Sequence, residues 1–332
     1  MRRAQRPRCP LRSRKLSTRR IHWTTVTALI RRDNRRRVAP SEGRVFHRRN
    51  RRAVAPALLA GCIALLHFGC AGATVVVTIN GNKAKADITL PAPSGSYTAE
   101  FELEFENPVN LTIPCLGIDA DVLDAGEIAS INGRLPDPGN QAIDPAFPVR
   151  VTVEPPAGCG LQFYYDVKVD LDTPDLVYTP QSTYRLVKAA VGGIAPFHDL
   201  TMSVTAGSVR VRGQAGGFSE FVVVKDASQN YSTDANRTYD ALDARLADPG
   251  IGLTAQLTLQ SDLALSRAAF TAGNYPQADA YLDDLDLHCA QLGGPALPNT
   301  WRSLRDLVNA EGEVVGFTGN LHFLLGRLGG SP

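Results

Sequence analysis

Motifs that build most catalytic, cofactor and metal sites are missing from this sequence of 332 residues. It contains no HExxH, CxxC or GxSxG motif and no GxGxxG or Walker A spacing, which are typical of zinc, redox, hydrolase and nucleotide sites. Beyond residue 73 the histidines are His198, His288 and His322, and their spacing fits no metal-ligand pattern. We therefore expect a non-enzymatic protein without a cofactor.

Cysteine is also scarce in the part of the chain that is expected to fold. Of the six cysteines, three lie before residue 74, namely Cys9, Cys62 and Cys70. In an oxidising compartment the remaining three predict one disulfide and one leftover thiol. Cys115 and Cys159 both lie in loop-like contexts, so we predict that they are bridged; the alternative is two unrelated buried thiols. Cys289 falls on an apolar helical stripe and is expected to be buried and inert.

Positive charge is confined to the beginning of the chain. Residues 1–52 contain 19 of the 35 basic residues but 2 of the 33 acidic ones, so residues 53–332 carry 16 basic and 31 acidic residues and a net charge of −15. A nucleic-acid-binding protein needs a basic surface on its folded part. We therefore expect no nucleic-acid partner.

An uncharged, mostly apolar run spans residues 53–73, follows the basic residues Arg51 and Arg52, and ends in Ala71-Gly72-Ala73. A basic start, an apolar middle and small residues at the end are the parts of a secretory signal peptide. We predict cleavage after Ala73 and a secreted or periplasmic protein. Residues 1–52 are then a disordered basic leader. Because a signal rarely begins so far into a chain, we hypothesise that the true start lies near Val45.

Two other fates of the same run remain open. Leu59-Ala60-Gly61-Cys62 resembles the lipobox of bacterial lipoproteins, and Cys70 has a better-placed apolar segment before it. Acylation of Cys62 or Cys70 would make a membrane-anchored lipoprotein. A retained anchor is the third alternative, because about 20 apolar residues span a bilayer. Membrane contact is expected only through this segment.

Residues 74–226 have an all-β pattern. In the clearest strand, Tyr97 to Glu106, apolar residues alternate with four glutamates, which predicts one buried and one solvated face. Other strands are predicted at 74–79, 86–90, 149–153, 162–171, 200–204, 208–212 and 218–224, separated by turns rich in Gly and Pro. This pattern favours an immunoglobulin-like β-sandwich, although the Cys, Trp, Cys spacing of true immunoglobulin domains is missing.

The remaining chain has helical periodicity. Residues 227–252 are polar and predict a linker with a short helix from Thr238 to Ala247. Residues 253–330 predict a small helical bundle, with helices from Thr254 to Ala272, from near Pro276 and from near Asn299. An apolar seam on the last helix runs through Leu307, Ala310, Val314, Phe317, Leu321, Leu324 and Leu328. The fold class expected is α+β multidomain.

The helical segment resembles a known type of extracellular module. It contains Ala268-Ala269-Phe270, Gly273-Asn274-Tyr275, Ala278, Tyr281-Leu282 and Leu285. With these residues it resembles the FIVAR and FIMAH modules of extracellular bacterial proteins, and the whole chain resembles uncharacterised bacterial secreted proteins. The resemblance implies a non-catalytic role in attachment, or in contact with carbohydrate or a cell-envelope protein.

Two groups of acidic residues are candidate cation sites. Glu100, Glu102, Glu104 and Glu106 would project from one strand face with about 6.8 Å between neighbours. We favour a solvated face on which Arg210 and Arg212 relieve the repulsion. Asp119, Asp121, Asp124 and Glu127 fail the EF-hand pattern, and a surface loop is the preferred interpretation.

Three function classes compete. The leading hypothesis is an exported binding protein without enzymatic activity, whose ligand and partner the sequence does not identify. The alternative is an extracellular hydrolase in which carboxylates such as Glu100 or Asp166 act as acid and base; a close carboxyl pair with a raised pKa would favour it. The third is a structural envelope component, marked by a long exposed apolar patch.

Overall fold

The computed structural model describes residues 73–179 and 181–330. Within these ranges the chain forms three antiparallel sheets and six helices, with the strands mostly in the N-terminal part and the longer helices in the C-terminal part. The α+β class is therefore confirmed. The predicted leader, the apolar run to residue 72, Cys62 and Cys70 lie outside the described residues. Ala73 is the first described residue and is exposed.

The strands fall into three sheets. In chain order they are β1 Thr74–Asn80, β2 Lys83–Ala92, β3 Gly95–Phe105, β4 Ile118–Val122, β5 Gln141–Ile143, β6 Val149–Val153, β7 Gln162–Tyr164, β8 Val167–Thr173, β9 Tyr184–Ala189, β10 His198–Asp199, β11 Thr201–Thr205, β12 Val209–Ala215, β13 Glu220–Asp226 and β14 Thr300–Arg302. The first sheet has the order β1-β2-β3-β8-β12-β11, and the second has the order β10-β9-β13-β6-β4 with β5 also paired to β13. The third contains β14 and β7.

The helices are α1 Ile113–Leu116, α2 Ala125–Asn132, α3 Tyr231–Leu246, α4 Leu253–Thr271, α5 Tyr275–Leu292 and α6 Ala310–Leu328. Helices α4 and α5 lie within a residue or so of the predicted bounds. Their apolar stripes face inward, and Cys289 is fully buried on the stripe of α5 as predicted.

The predicted alternation of β3 is confirmed. Phe101, Leu103 and Phe105 are at most 1% exposed and face the core between the first and second sheets. Phe101 contacts Phe221 of the second sheet, with 5.5 Å between the ring centroids. Period-two alternation produces this arrangement because successive side chains of a strand point to opposite faces.

The predicted strand from 162 to 171 is instead two strands in different sheets. Tyr165 lies between them with a φ of 62°, a left-handed conformation that ends β7 and redirects the chain into β8. Strand β7 then pairs with β14, a strand that the sequence did not predict. The residues from 162 to 171, which have the pattern of one strand, therefore form two strands that pair in different sheets.

The predicted linker helix is longer and more buried than expected. Helix α3 begins at Tyr231, where the side chain of Asn230 accepts a hydrogen bond from the Thr233 N–H. It contributes Ala235, Tyr239, Leu242 and Leu246 to the same apolar core as α4, α5 and α6. The bundle therefore has four helices, and the polar composition of this segment comes from the outward face of α3.

The last helix begins later than predicted. Residues 300–302 form β14, and α6 starts at Ala310 after Asn309, whose side chain accepts from the Gly312 N–H. Leu307 is therefore 40% exposed and does not belong to the seam. The seam itself is confirmed at Ala310, Val314, Leu321 and Leu324, all buried.

Helix α6 joins the helical part to the first sheet. Gly312, Gly316 and Gly319 lie without a break in this helix on the side that faces β12 and its surroundings. A Cβ at Gly316 would lie 2.8 Å from the carbonyl oxygen of Gln214, so glycine permits the helix to pack against strand backbone. The β-rich and helical parts consequently form one compact unit. Across residues 73–179 and 181–330, none of the helices has the length and apolarity needed to cross a membrane.

Candidate functional site

A groove opens between the β-rich part and the helical part. It has a volume of about 590 Å³, within the range typical of small-molecule sites. Strands β9 and β10 form one side, α3 and α6 form the other, and the segments 214–219 and 301–309 close its end. Junctions between two packed parts of a protein are a common place for ligand sites.

Two consecutive glycines shape the end of the groove. A Cβ at Gly216 would lie 2.5 Å from the carbonyl oxygen of Asn309 and 2.6 Å from the Glu313 nitrogen. A Cβ at Gly217 would lie 2.9 Å from Cδ1 of Trp301. Since real Cβ atoms do not approach so closely, only glycine permits the start of α6 and the Trp301 ring to lie this near to the turn.

Aromatic and aliphatic side chains line most of the groove. Trp301 stacks on Phe163 with 5.4 Å between centroids and meets the edge of Phe218 at 4.6 Å. Leu307 and Val308 also line the groove and are 40% and 56% exposed. Burial of such side chains beneath a ligand would be favourable, at about 25 cal/mol per Å² of apolar surface.

Most polar groups in the groove already have partners. Nε of Arg245 lies 2.5 Å from Oε2 of Glu313, and Nη2 of Arg305 lies 3.0 Å from Oε1 of Glu154. Lys188 differs, because its Nζ donates to the carbonyl oxygen of Gly217 at 3.1 Å and lies within 4 Å of no carboxylate among the described residues. An ammonium has three donors, so this contact leaves two unused.

Lys188 and His198 are direct neighbours across β9 and β10, where their Cα atoms are partners in the register. Burial lowers the pKa of Lys188, and the nearby Glu313 charge opposes this. Burial and the charge of Lys188 lower the pKa of His198, whose ring also packs edge-on against Phe317 at 5.7 Å. The environment thus disfavours the positive charge of both groups.

A second polar cluster lies beneath the groove, where α3 meets the second sheet. Arg185 is fully buried, with its guanidinium over the rings of Tyr231 and Phe323 at 5.3 and 5.2 Å, and its Nε lies 3.7 Å from Oδ2 of Asp199. Asp234 lies nearby, and burial together with the charges of other carboxylates raises its pKa to about 7. A small cavity of about 60 Å³ adjoins Asp199 and Asp234.

The glutamate ladder of β3 lies on a solvated sheet face, and none of its glutamates lines the groove. The expected pairing with Arg210 and Arg212 is wrong, because β8 separates β12 from β3. Lys83 and Lys85 of β2 form the ion pairs with Glu100, Glu102 and Glu104 instead. Arg210 and Arg212 pair with the β8 carboxylates Asp170 and Asp172.

The acidic segment at 119–127 is not the predicted surface loop. Asp119 and Asp121 lie in β4, and Asp124 is the N-cap of α2 in a capping box with Glu127. Asp121 and Glu127 both contact Arg150. Their charges are therefore used in local structure, which the pattern Asp-x-x-Glu before a helix could have indicated. No group of three or more acidic, His or Cys side chains among the described residues is arranged to hold a metal ion.

Of the two carboxylates named for a hydrolase, Asp166 has the more unusual surroundings. Burial raises its pKa, and burial also raises the pKa of Glu311 to about 7, helped by the charges of Glu106 and Asp166. Glu311 is 4% exposed and lies at the start of α6. Glu100 is on the exposed ladder beside Lys85. Neither Asp166 nor Glu311 lines the groove.

Cys115 and Cys159 lie side by side, although both are free thiols in this structure. Sγ of Cys115 is 3.2 Å from the carbonyl oxygen of Cys159, and Sγ of Cys159 is 3.6 Å from the carbonyl oxygen of Cys115. Contact with Cys159 raises the pKa of the Cys115 thiol. Burial acts to raise the pKa of Cys159, but hydrogen bonds with Cys115 and Leu161 outweigh burial, so the pKa of Cys159 is lowered. The bridge stays a prediction.

Residues 61–329 match the family of unknown function DUF6689. The chain belongs to the DUF6689 family. The match extends over both the β-rich and the helical part, so the groove lies within the matched residues. No curated protein and no solved structure matches the chain.

Sequence reasoning missed the groove because its residues come from segments far apart in the DUF6689 chain. Lys188 and Glu313 are separated by more than 120 positions, and no local spacing relates them. One signal was present in Ala215-Gly216-Gly217, which is one of the Gly-rich turns between predicted strands, because consecutive glycines also permit a close approach of other backbone.

Proposed function

We propose that this protein is an exported, non-enzymatic binding protein and that the groove binds a small ligand with an apolar body. The observation that carries the proposal is the groove itself, with apolar walls, a ligand-sized volume and unspent donors on Lys188. The predicted signal peptide supports export, to the periplasm or the medium. The resemblance of the helices to FIVAR and FIMAH modules supports a binding role, and we extend the proposal to an immunoglobulin-like arrangement of the two large sheets.

Binding can be tested with N-phenyl-1-naphthylamine, a neutral apolar dye whose fluorescence rises in apolar sites. Ala244 lines the groove from α3 and is exposed, so Ala244→Trp would fill the groove without removing a core side chain. We expect this variant to bind the dye at least about tenfold more weakly, a loss of about 1.4 kcal/mol. Ala247→Trp is the matched control, since Ala247 is exposed at the end of α3 and does not line the groove.

Two outcomes would contradict the groove as a binding site. One is that the wild-type protein does not bind the dye; the other is that Ala244→Trp and Ala247→Trp bind it as well as wild type. Circular dichroism of both variants verifies that they are folded.

Export is tested separately by the intact mass of the protein purified from the cells that naturally produce it. A chain that begins at Thr74 supports cleavage after Ala73 and a soluble exported protein. A chain that begins at Cys62 or Cys70 with added acyl groups supports a membrane-anchored lipoprotein. Peptides from residues 1–40 in the mature protein would contradict the predicted export signal.

An extracellular hydrolase is the second candidate, and one observation favours it. Asp166 and Glu311 are carboxyl groups with raised pKa values, close enough for the Asp166 charge to raise the pKa of Glu311. Hydrolysis of chromogenic glycoside or ester substrates, lost in Glu311→Gln and in Asp166→Asn, would support this function. Equal rates in wild type and both variants would eliminate these residues as acid and base.

A further inference from the structure

The two unused N–H donors of Lys188 indicate which chemical class of ligand the groove would bind. Lys188 lies in β9 on one wall of the groove, half-buried, with a neutral carbonyl as its hydrogen-bond partner. Its neighbour His198 lines the same wall and makes no side-chain hydrogen bond to the described residues. A half-buried ammonium that no carboxylate contacts is unfavourable, and an anion in contact with it would reduce that cost.

Glu313 is the carboxylate that lines the groove, and it is the main argument against an anion. Its Oε2 lies 2.5 Å from Nε of Arg245, so its charge is already compensated. Arg245 also contacts Asp248 at 2.7 Å, but Asp248 lies outside the groove with 40% of its side chain exposed, where solvent screens its charge. Arg305 is paired with Glu154, with 3.0 Å between Nη2 and Oε1. Lys188 is therefore the lining cation whose charge has no contacting partner among the described residues.

We propose that the groove binds a small amphipathic organic anion, with its acidic group between Lys188 and His198 and its apolar body against Phe317, Leu307, Val308 and the edge of Trp301. The proposal rests on the proposed binding function and names the ligand class of the same site. Lys188 supplies the charge-assisted hydrogen bond, and the apolar walls supply the burial. Neutral apolar compounds, which lack an acidic group, are therefore expected to bind more weakly than the preferred ligand.

A pair of dyes with one skeleton isolates the acidic group. 8-Anilino-1-naphthalenesulfonate and N-phenyl-1-naphthylamine share the same aromatic framework, and the first carries a sulfonate that the second lacks. In Lys188→Met we expect the affinity for the sulfonate dye to fall at least about tenfold, as removal of a hydrogen bond to a charged group does. The affinity for the neutral dye should change less than threefold, because the apolar walls are retained. Lys188→Arg keeps the positive charge and should keep the affinity for the sulfonate dye within about threefold.

Lys225→Met is the matched control, because Lys225 is an exposed lysine of β13 outside the groove, and both dyes should bind it as they bind wild type. Glu313→Gln removes the lining carboxylate and should tighten binding of the sulfonate dye. The proposal is overturned if Lys188→Met weakens both dyes equally or neither. This result can be told apart from failure of the proposed binding function. In that case the Ala244→Trp variant would bind the neutral dye as tightly as wild type does.

Discussion

Asp234 should make the stability of this protein fall as the pH rises to neutrality. Asp234 is 5% exposed in the first turn of α3, beneath the groove. Burial, with the charges of Asp226 and Asp199, raises its pKa from 3.8 to about 7, although Arg237 lies 2.6 Å away and acts in the opposite direction. The folded state therefore holds a proton that the unfolded chain releases more readily.

The sign and size follow from this shift. A carboxyl group whose pKa is raised on folding contributes stability that is fully present below pH 3.8 and is lost as the pH rises through about 7. With 1.36 kcal/mol for each pKa unit, the loss is about 4 kcal/mol at most, and about 3 kcal/mol of it falls between pH 5 and pH 8. Asn is neutral at every pH and keeps an oxygen that can accept from Arg237.

We expect Asp234→Asn to be more stable than wild type at pH 8. The difference in the free energy of unfolding between variant and wild type should be about 3 kcal/mol larger at pH 8 than at pH 5. The free energy of unfolding is measured by urea titration of both proteins at the two pH values. Asp243→Asn, at an exposed position of the same helix, is the control and should show no such difference. A margin that is equal at both pH values, or lower stability of Asp234→Asn at pH 8, would refute the reasoning.

Three further predictions concern stability. Gly316→Ala should lower the melting temperature by the equivalent of about 1–2 kcal/mol, because the added Cβ meets the Gln214 carbonyl and this strain exceeds the gain in helix propensity. Burial disfavours the charge of His322, but hydrogen bonds to acidic residues of α5 outweigh this effect and raise the pKa of His322 to about 9. His322→Gln should therefore lower the free energy of unfolding, measured by urea titration, by roughly 3 kcal/mol at pH 6 and by almost nothing above pH 9. Oxidation of Cys115 and Cys159 to a disulfide should stabilise by about 4 kcal/mol, and the rise in melting temperature should disappear with reductant and in Cys159→Ser.

The sequence predicts well those strands and helices in which apolar residues recur at the same spacing as the buried positions. Strand β3 alternates because one of its faces lies against the second sheet, and α5 carries its stripe because one side lies in the bundle. Helix α3 was underestimated because its buried residues are few and its solvent face is rich in Asp, Asn and Arg. Strand β14 was missed because three residues are too few to show a period, and their partner lies more than 130 positions away.

The candidate site was far less predictable than the elements that carry it. The acidic residues that stood out in the sequence form ion pairs or helix caps, since a charge that is conspicuous in a local pattern is commonly neutralised by a neighbour that the pattern does not reveal. Lys188 carried no signal, because an isolated lysine in a strand normally points to solvent.

The sequence by itself determined the fold class, the β-rich and helical segments, the acidic character of the chain beyond residue 52 and the burial of Cys289, because composition and periodicity act over a few residues. The tertiary structure alone decided that α6 packs on β12, that β14 pairs with β7, and that Lys188 lies among apolar walls between two segments. Those relations depend on which surfaces pack together, and packing joins residues that are far apart in the chain.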